Sequence, residues 1–131
     1  VIPEKITADL EKDYGIKPEL TGSRFICENP KEDSDWDYVL QIKPIESEVA
    51  ALVSYLACEG FKLEAGEHYQ VAINSTFMSF RKGKLNFLVC ANEDWCAKHR
   101  SATKLCKKLK LDKKEDRVAV FQALLYGNVE L

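Results

Sequence analysis

Two aspartates open a run that can only be a strand, and they set what the rest of the chain must build around them. The segment Asp35-Trp36-Asp37-Tyr38-Val39-Leu40-Gln41-Ile42 is rich in aromatic and β-branched residues, the composition of a pleated, packed segment. Side chains alternate along a strand. Asp35 and Asp37 therefore stand together on one face, while Trp36, Tyr38, Leu40 and Ile42 point the other way into packing. Two carboxylates held that close repel one another unless a cation lies between them, and a divalent metal is the economical choice. Eleven residues upstream lies Thr21-Gly22-Ser23. Glycine there permits close backbone approach to a ligand, and Ser23 offers an N–H and a hydroxyl to phosphate oxygens.

Gly-Ser, about ten residues, then Asp-x-Asp at the head of a hydrophobic strand resembles the DNA polymerase beta-like nucleotidyltransferase superfamily. That superfamily includes poly(A) polymerases, CCA-adding enzymes, small aminoglycoside nucleotidyltransferases and minimal antitoxin nucleotidyltransferases. Ser34 before Asp35 also fits its frequent Ser-Asp-x-Asp. Short phage-encoded members are similar over most of the chain, in Phe80-Arg81-Lys82-Gly83, Asn86-Phe87-Leu88-Val89 and Lys114-Glu115-Asp116-Arg117. The resemblance implies an α/β (α+β) fold, the minimal nucleotidyltransferase fold, with a mixed central β-sheet flanked by helices. It also implies an NTP substrate, Mg2+ or Mn2+ held by Asp35 and Asp37, and phosphate contacts from Gly22, Ser23 and Arg24. The acceptor would be a hydroxyl on RNA or DNA, a protein or a small molecule.

One position departs from the family. Its third acid falls on Asn86, in Leu85-Asn86-Phe87-Leu88-Val89-Cys90, after a hairpin turned at Lys82-Gly83. Asparagine offers a carbonyl oxygen but no charge, and it is a poor general base. Two functions therefore stand side by side. One is a metal-dependent nucleotidyltransferase whose catalytic set is Asp35, Asp37 and Asn86. The other is a weakened relative, a phage accessory or antitoxin-like factor, that binds nucleotide, RNA or a host protein.

At 131 residues the chain has the size of one domain, 1–131, with enough apolar content, 46%, to bury a core. No apolar run approaches the roughly 20 residues of a membrane span, and no signal peptide is visible. Five cysteines, an odd number without a repeated framework, read as reduced thiols and hence a cytoplasmic protein, in the host cytoplasm if the source is viral. Charge is uneven: residues 98–117 carry nine Lys or Arg against three acids, the remainder ten against eighteen. Such a stretch reads as the solvated side of a helix pair or as a nucleic-acid face. Cys90, Cys96 and His99 fit no zinc-knuckle spacing and lack a fourth ligand; Cys90 reads as packed within a strand, and Cys96 and Cys106 on a helix face.

Periodicity predicts the element order α-β-β-α-β-β-β-α-α. The first helix carries Ile2, Ile6, Leu10 and Tyr14 and stops at Gly15, and a short strand leads into Gly22. Residues 24–34 read as a loop or broken helix. A helix capped by Ser47 ends at Gly60, and strands follow over 61–65, 71–81 and 84–90. A helix with Trp95, Ala102, Leu105, Cys106 and Leu109 inward precedes a last one, opened by Asp112 and Glu115, with Val118, Phe121, Leu124 and Leu125 inward.

Overall fold

The computed structural model describes residues 4–64 and 77–127. In chain order the elements are α1 (Glu4–Tyr14), β1 (Glu19–Thr21), α2 (Ser23–Ile26), β2 (Trp36–Gln41), α3 (Glu46–Cys58), β3 (Lys62–Glu64), β4 (Phe77–Lys82), β5 (Leu85–Cys90), α4 (Glu93–Lys108) and α5 (Lys114–Tyr126). Among the described residues five strands form one mixed sheet in the order β1-β2-β5-β4-β3. Only the central β2–β5 pair is parallel; the others are antiparallel. This is the α+β architecture expected from the sequence.

Helices cover both faces of the sheet. Leu40, Phe80, Leu85, Phe87 and Val89 pack with Leu10 of α1 and Leu52 and Leu56 of α3, joined by Trp36, Tyr38 and Ile42. The alternation read from the sequence thus holds: the strand turns its aromatic side to this layer. On the opposite face Val39, Phe77, Leu88 and Cys90 meet Ile26, Trp95, Ala102, Cys106, Phe121 and Leu125 from α2, α4 and α5. β5 is buried along its whole length, as a strand with packing on both faces must be.

Several local expectations need correction. Residues 23–26 form an extra single turn, α2, because the Gly22 carbonyl accepts from the amides of Phe25 and Ile26 (3.1 and 2.9 Å) and Ile26 is buried. Ser47 does not cap α3. Ile45 holds that place and its carbonyl accepts from Glu48 and Val49, with no side-chain cap. Likewise Lys113, not Asp112, precedes α5, again without a side-chain cap. Among the described residues the one side-chain cap is Asn92, whose Oδ1 accepts from the Trp95 amide at 2.9 Å, satisfying one of the orphan donors of a helix start. On α4, Trp95, Ala102 and Cys106 are buried as expected, but Leu105 and, just past the helix, Leu109 are exposed while His99 and Thr103 are buried. Leu124 of α5 is exposed as well. Strand β4 is described from Phe77; the expected strand residues 71–76, Ala65 and the loop 66–70 lie outside the described residues, as does Ile2.

Helices α1 and α5 stop at the glycines expected to end them. Gly15 and Gly127 end α1 and α5 at φ 66° and 65°. The Ile16 amide returns to the Leu10 carbonyl at 3.2 Å, the bonding of a left-handed helix terminus that favours glycine.

Candidate functional site

Strand pairing lines up a row of polar side chains on the α5 side of the sheet. Thr21 pairs with Asp37, Asp37 with Asn86, and Asn86 with Arg81, across β1, β2, β5 and β4. Residues directly opposite across strands lie about 5 Å apart, so register alone brings together groups distant in sequence. Around this row opens a cavity of about 390 Å³. Gly22, Ser23, Asp35, Asp37 and Asn86 all line it, as do Lys31, Glu64, Ser79, Arg81, Lys84, Lys114 and Arg117.

Gly22 adopts φ 70°, ψ −164°, backbone that side-chain-bearing residues rarely take. It also has no room for a side chain: a Cβ there would collide with Oδ2 of Asp37 and lie 3.2 Å from that residue's Cβ and Cγ. The Gly-Ser turn and the second aspartate are therefore in direct contact, which is why glycine is required.

Asp37 is the most perturbed acid of the site. Burial raises its pKa above the ordinary carboxylate value, and nearby Asp35 pushes the same way. The Asn86 bond, Arg81 and Lys114 oppose them without cancelling them. A carboxylate so placed calls for a cation or a proton. Asn86 Nδ2 donates to Asp37 Oδ1 at 3.2 Å, while Asn86 Oδ1 accepts from the Ser79 hydroxyl at 2.8 Å. The amide thus presents its NH2 to Asp37 and turns its oxygen away. Asp35 meets Arg81 at 3.1 Å and Lys84 at 4.0 Å, and Arg81 also holds Glu64 at 2.9 Å.

Arg24, expected among the phosphate contacts, stands elsewhere. Its Nη2 donates to the carbonyls of Glu32 and Ser34 (2.8 and 2.9 Å), its Nε donates to Ser34 (3.2 Å), and its guanidinium lies 4.4 Å from the Trp36 ring centroid. Stacked and bonded in this way, it fixes the approach to Asp35 and does not line the cavity. Lys82, in the β4–β5 hairpin, donates to the Glu59 carbonyl at 2.8 Å and does not line the cavity.

The basic stretch divides. Arg100 forks onto Glu19 (2.9 and 2.7 Å), Lys98 pairs with Asp94, Lys110 with Glu28, and Lys107 lies over Phe25. The charges of Arg100, Lys98 and Lys110 are thus paired with acids at the surface. Lys114 and Arg117 instead line the cavity. Arg117 Nη1 donates to the Leu111 and Asp112 carbonyls (3.1 and 2.7 Å), whereas Lys114 has no hydrogen-bond or ion-pair partner among the described residues.

Glu64, Ser79, Lys31, Lys114 and Arg117 were not singled out in the sequence for this site. Alternation from Arg81 points to Ser79, but the others needed the strand register and the docking of α5. The five cysteines are all free thiols. His99 is buried between the rings of Trp95 and Phe121 (4.9 and 4.8 Å between centroids), and desolvation lowers its pKa to about 3; it is neutral core.

No protein-family model matches this chain, and no similar curated protein is found. Among the described residues no group of three His, Cys, Asp or Glu side chains converges on one metal position. The residues that could hold a divalent cation are Asp35 and Asp37, two adjacent half-buried carboxylates, of which Asp37 is short of counter-charge. A second cation lacks a charged oxygen at position 86. No helix among the described residues is long and apolar enough to cross a membrane.

Proposed function

We propose that the cavity binds a nucleoside triphosphate with a divalent cation and moves its nucleoside monophosphate to an acceptor hydroxyl on a nucleic acid, protein or small molecule. The contact of Gly22 with the Asp37 carboxylate carries this reading. It places a backbone able to approach phosphates against an acid that needs a cation, in a cavity also lined by Lys31, Lys84 and Lys114. Asp35 and Asp37 would hold Mg2+ or Mn2+, which when bound offsets charge on the phosphates and the pyrophosphate leaving group. Ser23 donates to phosphate oxygens, and Lys84 and Lys114 draw the polyphosphate in by charge. Free thiols suit action in a reducing cytoplasm, that of a host cell if the chain is viral.

One observation favours a second reading. Asn86 gives Asp37 a hydrogen bond where the resembled family has a third acid, which leaves no charged oxygen to draw the proton from an acceptor hydroxyl. A chain so built can keep a nucleotide, an RNA or a protein partner without turning it over. Incubation with labelled NTPs and RNA, DNA or protein acceptors separates the two: labelled acceptor supports transfer, and ligand-induced stabilisation without label supports binding alone.

Asp37→Asn gives a test with opposed readouts. Melting-temperature shifts from Mn2+ with NTP, which register any ligand specific to the native state, should vanish. Stability without ligand should rise. The Asp37 carboxyl has a raised folded pKa, so its penalty is absent below the unfolded value of about 3.9 and grows as pH rises through the folded one. Denaturant titrations should show the variant's advantage at pH 7 and little below pH 4. An unchanged ligand shift in the variant would remove Asp37 from the site.

A further inference from the structure

Arg81 bridges two acids that line the cavity, Asp35 and Glu64. Its Nη1 lies 3.1 Å from Asp35 Oδ2 and its Nε 2.9 Å from Glu64 Oε1. One guanidinium therefore joins the head of β2 to the edge strand β3 across the sheet. Lys84 adds a weaker contact, 4.0 Å, to the other oxygen of Asp35. The Arg81 side chain is 24% exposed and its partners 37% and 33%, so it is half-buried yet has a way out toward the cavity it lines.

A bare divalent cation approaching Asp35 meets this fixed charge. Arginine does not lose its proton at accessible pH, so the repulsion is relieved only by moving the guanidinium. Moving it breaks two charge-assisted bonds, and a free metal ion brings nothing to replace them. A metal–polyphosphate complex does. Its phosphate oxygens match the guanidinium fork as well as a carboxylate does, so Arg81 can exchange Asp35 for phosphate while Asp35 turns to the metal.

We propose that Arg81 is a specificity-determining counter-ion: by bridging Asp35 and Glu64 it excludes free divalent cations and admits them with a polyphosphate, which it then holds. The inference rests on the nucleotide-binding reading above and adds an order of events to it. It also gives a use to Glu64, which anchors Arg81 in the free protein and is released with Asp35.

The test uses the whole chain, Arg81→Gln and Arg81→Lys, with two probes: Mn2+ alone, followed by water-proton relaxation, and inorganic tripolyphosphate with Mn2+, followed by calorimetry. Removing a unit charge near a dication through partly screened protein should tighten Mn2+ alone by about tenfold in Arg81→Gln. The same variant should bind tripolyphosphate with Mn2+ about tenfold more weakly, and Arg81→Lys should recover part of that loss. A merely structural arginine would weaken both probes, so opposed signs are the signature. Equal or parallel changes overturn the proposal while leaving the nucleotide reading in place. Failure of the native chain to bind tripolyphosphate or any NTP, with or without Mn2+, overturns both. Should Arg81→Gln not fold, Lys84→Gln removes the weaker charge on the same carboxylate and should tighten Mn2+ in the same direction by less; no tightening there counts against the charge argument.

Discussion

Gly22→Ala should lower the stability of the protein by about 3 kcal/mol, combining the strain of a side chain at unsuitable backbone angles with overpacking against a neighbour. The backbone stands at φ 70°, ψ −164°, and the added methyl would run into the Asp37 carboxylate. The two contributions can be separated. In an Asp37→Ala background the collision with the carboxylate is removed, leaving the 3.2 Å approach to Cβ and the dihedral strain, so a double-mutant cycle by denaturant unfolding should show coupling of about 1 kcal/mol or more. Nucleotide-dependent stabilisation should fall too, since the chain relieves the clash by moving either the turn or the carboxylate. A loss below about 0.5 kcal/mol, the range of an ordinary surface change, would mean that the turn and Asp37 are not in contact.

Asn86→Asp should have an effect of similar size that depends on pH and metal. Asn86 is 9% exposed, and its amide nitrogen lies 3.2 Å from Asp37 Oδ1. A carboxylate there replaces a donor by an acceptor and sets two acids against each other, with a cost of about 3 kcal/mol at neutral pH. Two carboxyls so close share a proton, which raises one folded pKa. For a raised carboxyl the penalty is absent below the unfolded value and grows as pH rises through the folded one. The variant should therefore approach native stability near pH 4 and differ most at pH 8. Saturating Mn2+ should reverse the deficit at neutral pH, because the added acid completes a site for the cation. If the chain is a transferase, this variant should also label acceptors faster than the native protein. A deficit independent of pH and untouched by Mn2+ would show that position 86 does not face a cation site.

Much of the fold was written locally. Alternation in 35–42 separated the faces of β2, and Gly15 and Gly127 marked helix ends because left-handed backbone favours glycine. Helix starts were less legible. Ser47 and Asp112 look like caps, but Ile45 and Lys113 hold those places, since the position of a helix on the sheet decides where its first turn falls. The inner face of α4 is legible only in part, in Trp95, Ala102 and Cys106, for the same reason. Leu105 and Leu109 fit the period, yet packing against Phe121 of α5 and Thr21 of β1 buries His99 and Thr103 instead.

The sequence by itself determined that Asp35 and Asp37 share a face and that Gly22 precedes them in a turn, since both follow from backbone geometry within a few residues. Tertiary structure decided what surrounds them. Parallel pairing of β2 with β5 set Asn86 beside Asp37, antiparallel pairing with β4 brought Arg81 into the same row, and the docking of α5 turned Lys114 to the cavity. Arg24 and Arg81 are both arginines near the motif in space, but one clamps a loop and the other bridges two acids. That difference depends on which carbonyls and carboxylates the packed chain places within reach of each guanidinium, and no local pattern encodes it.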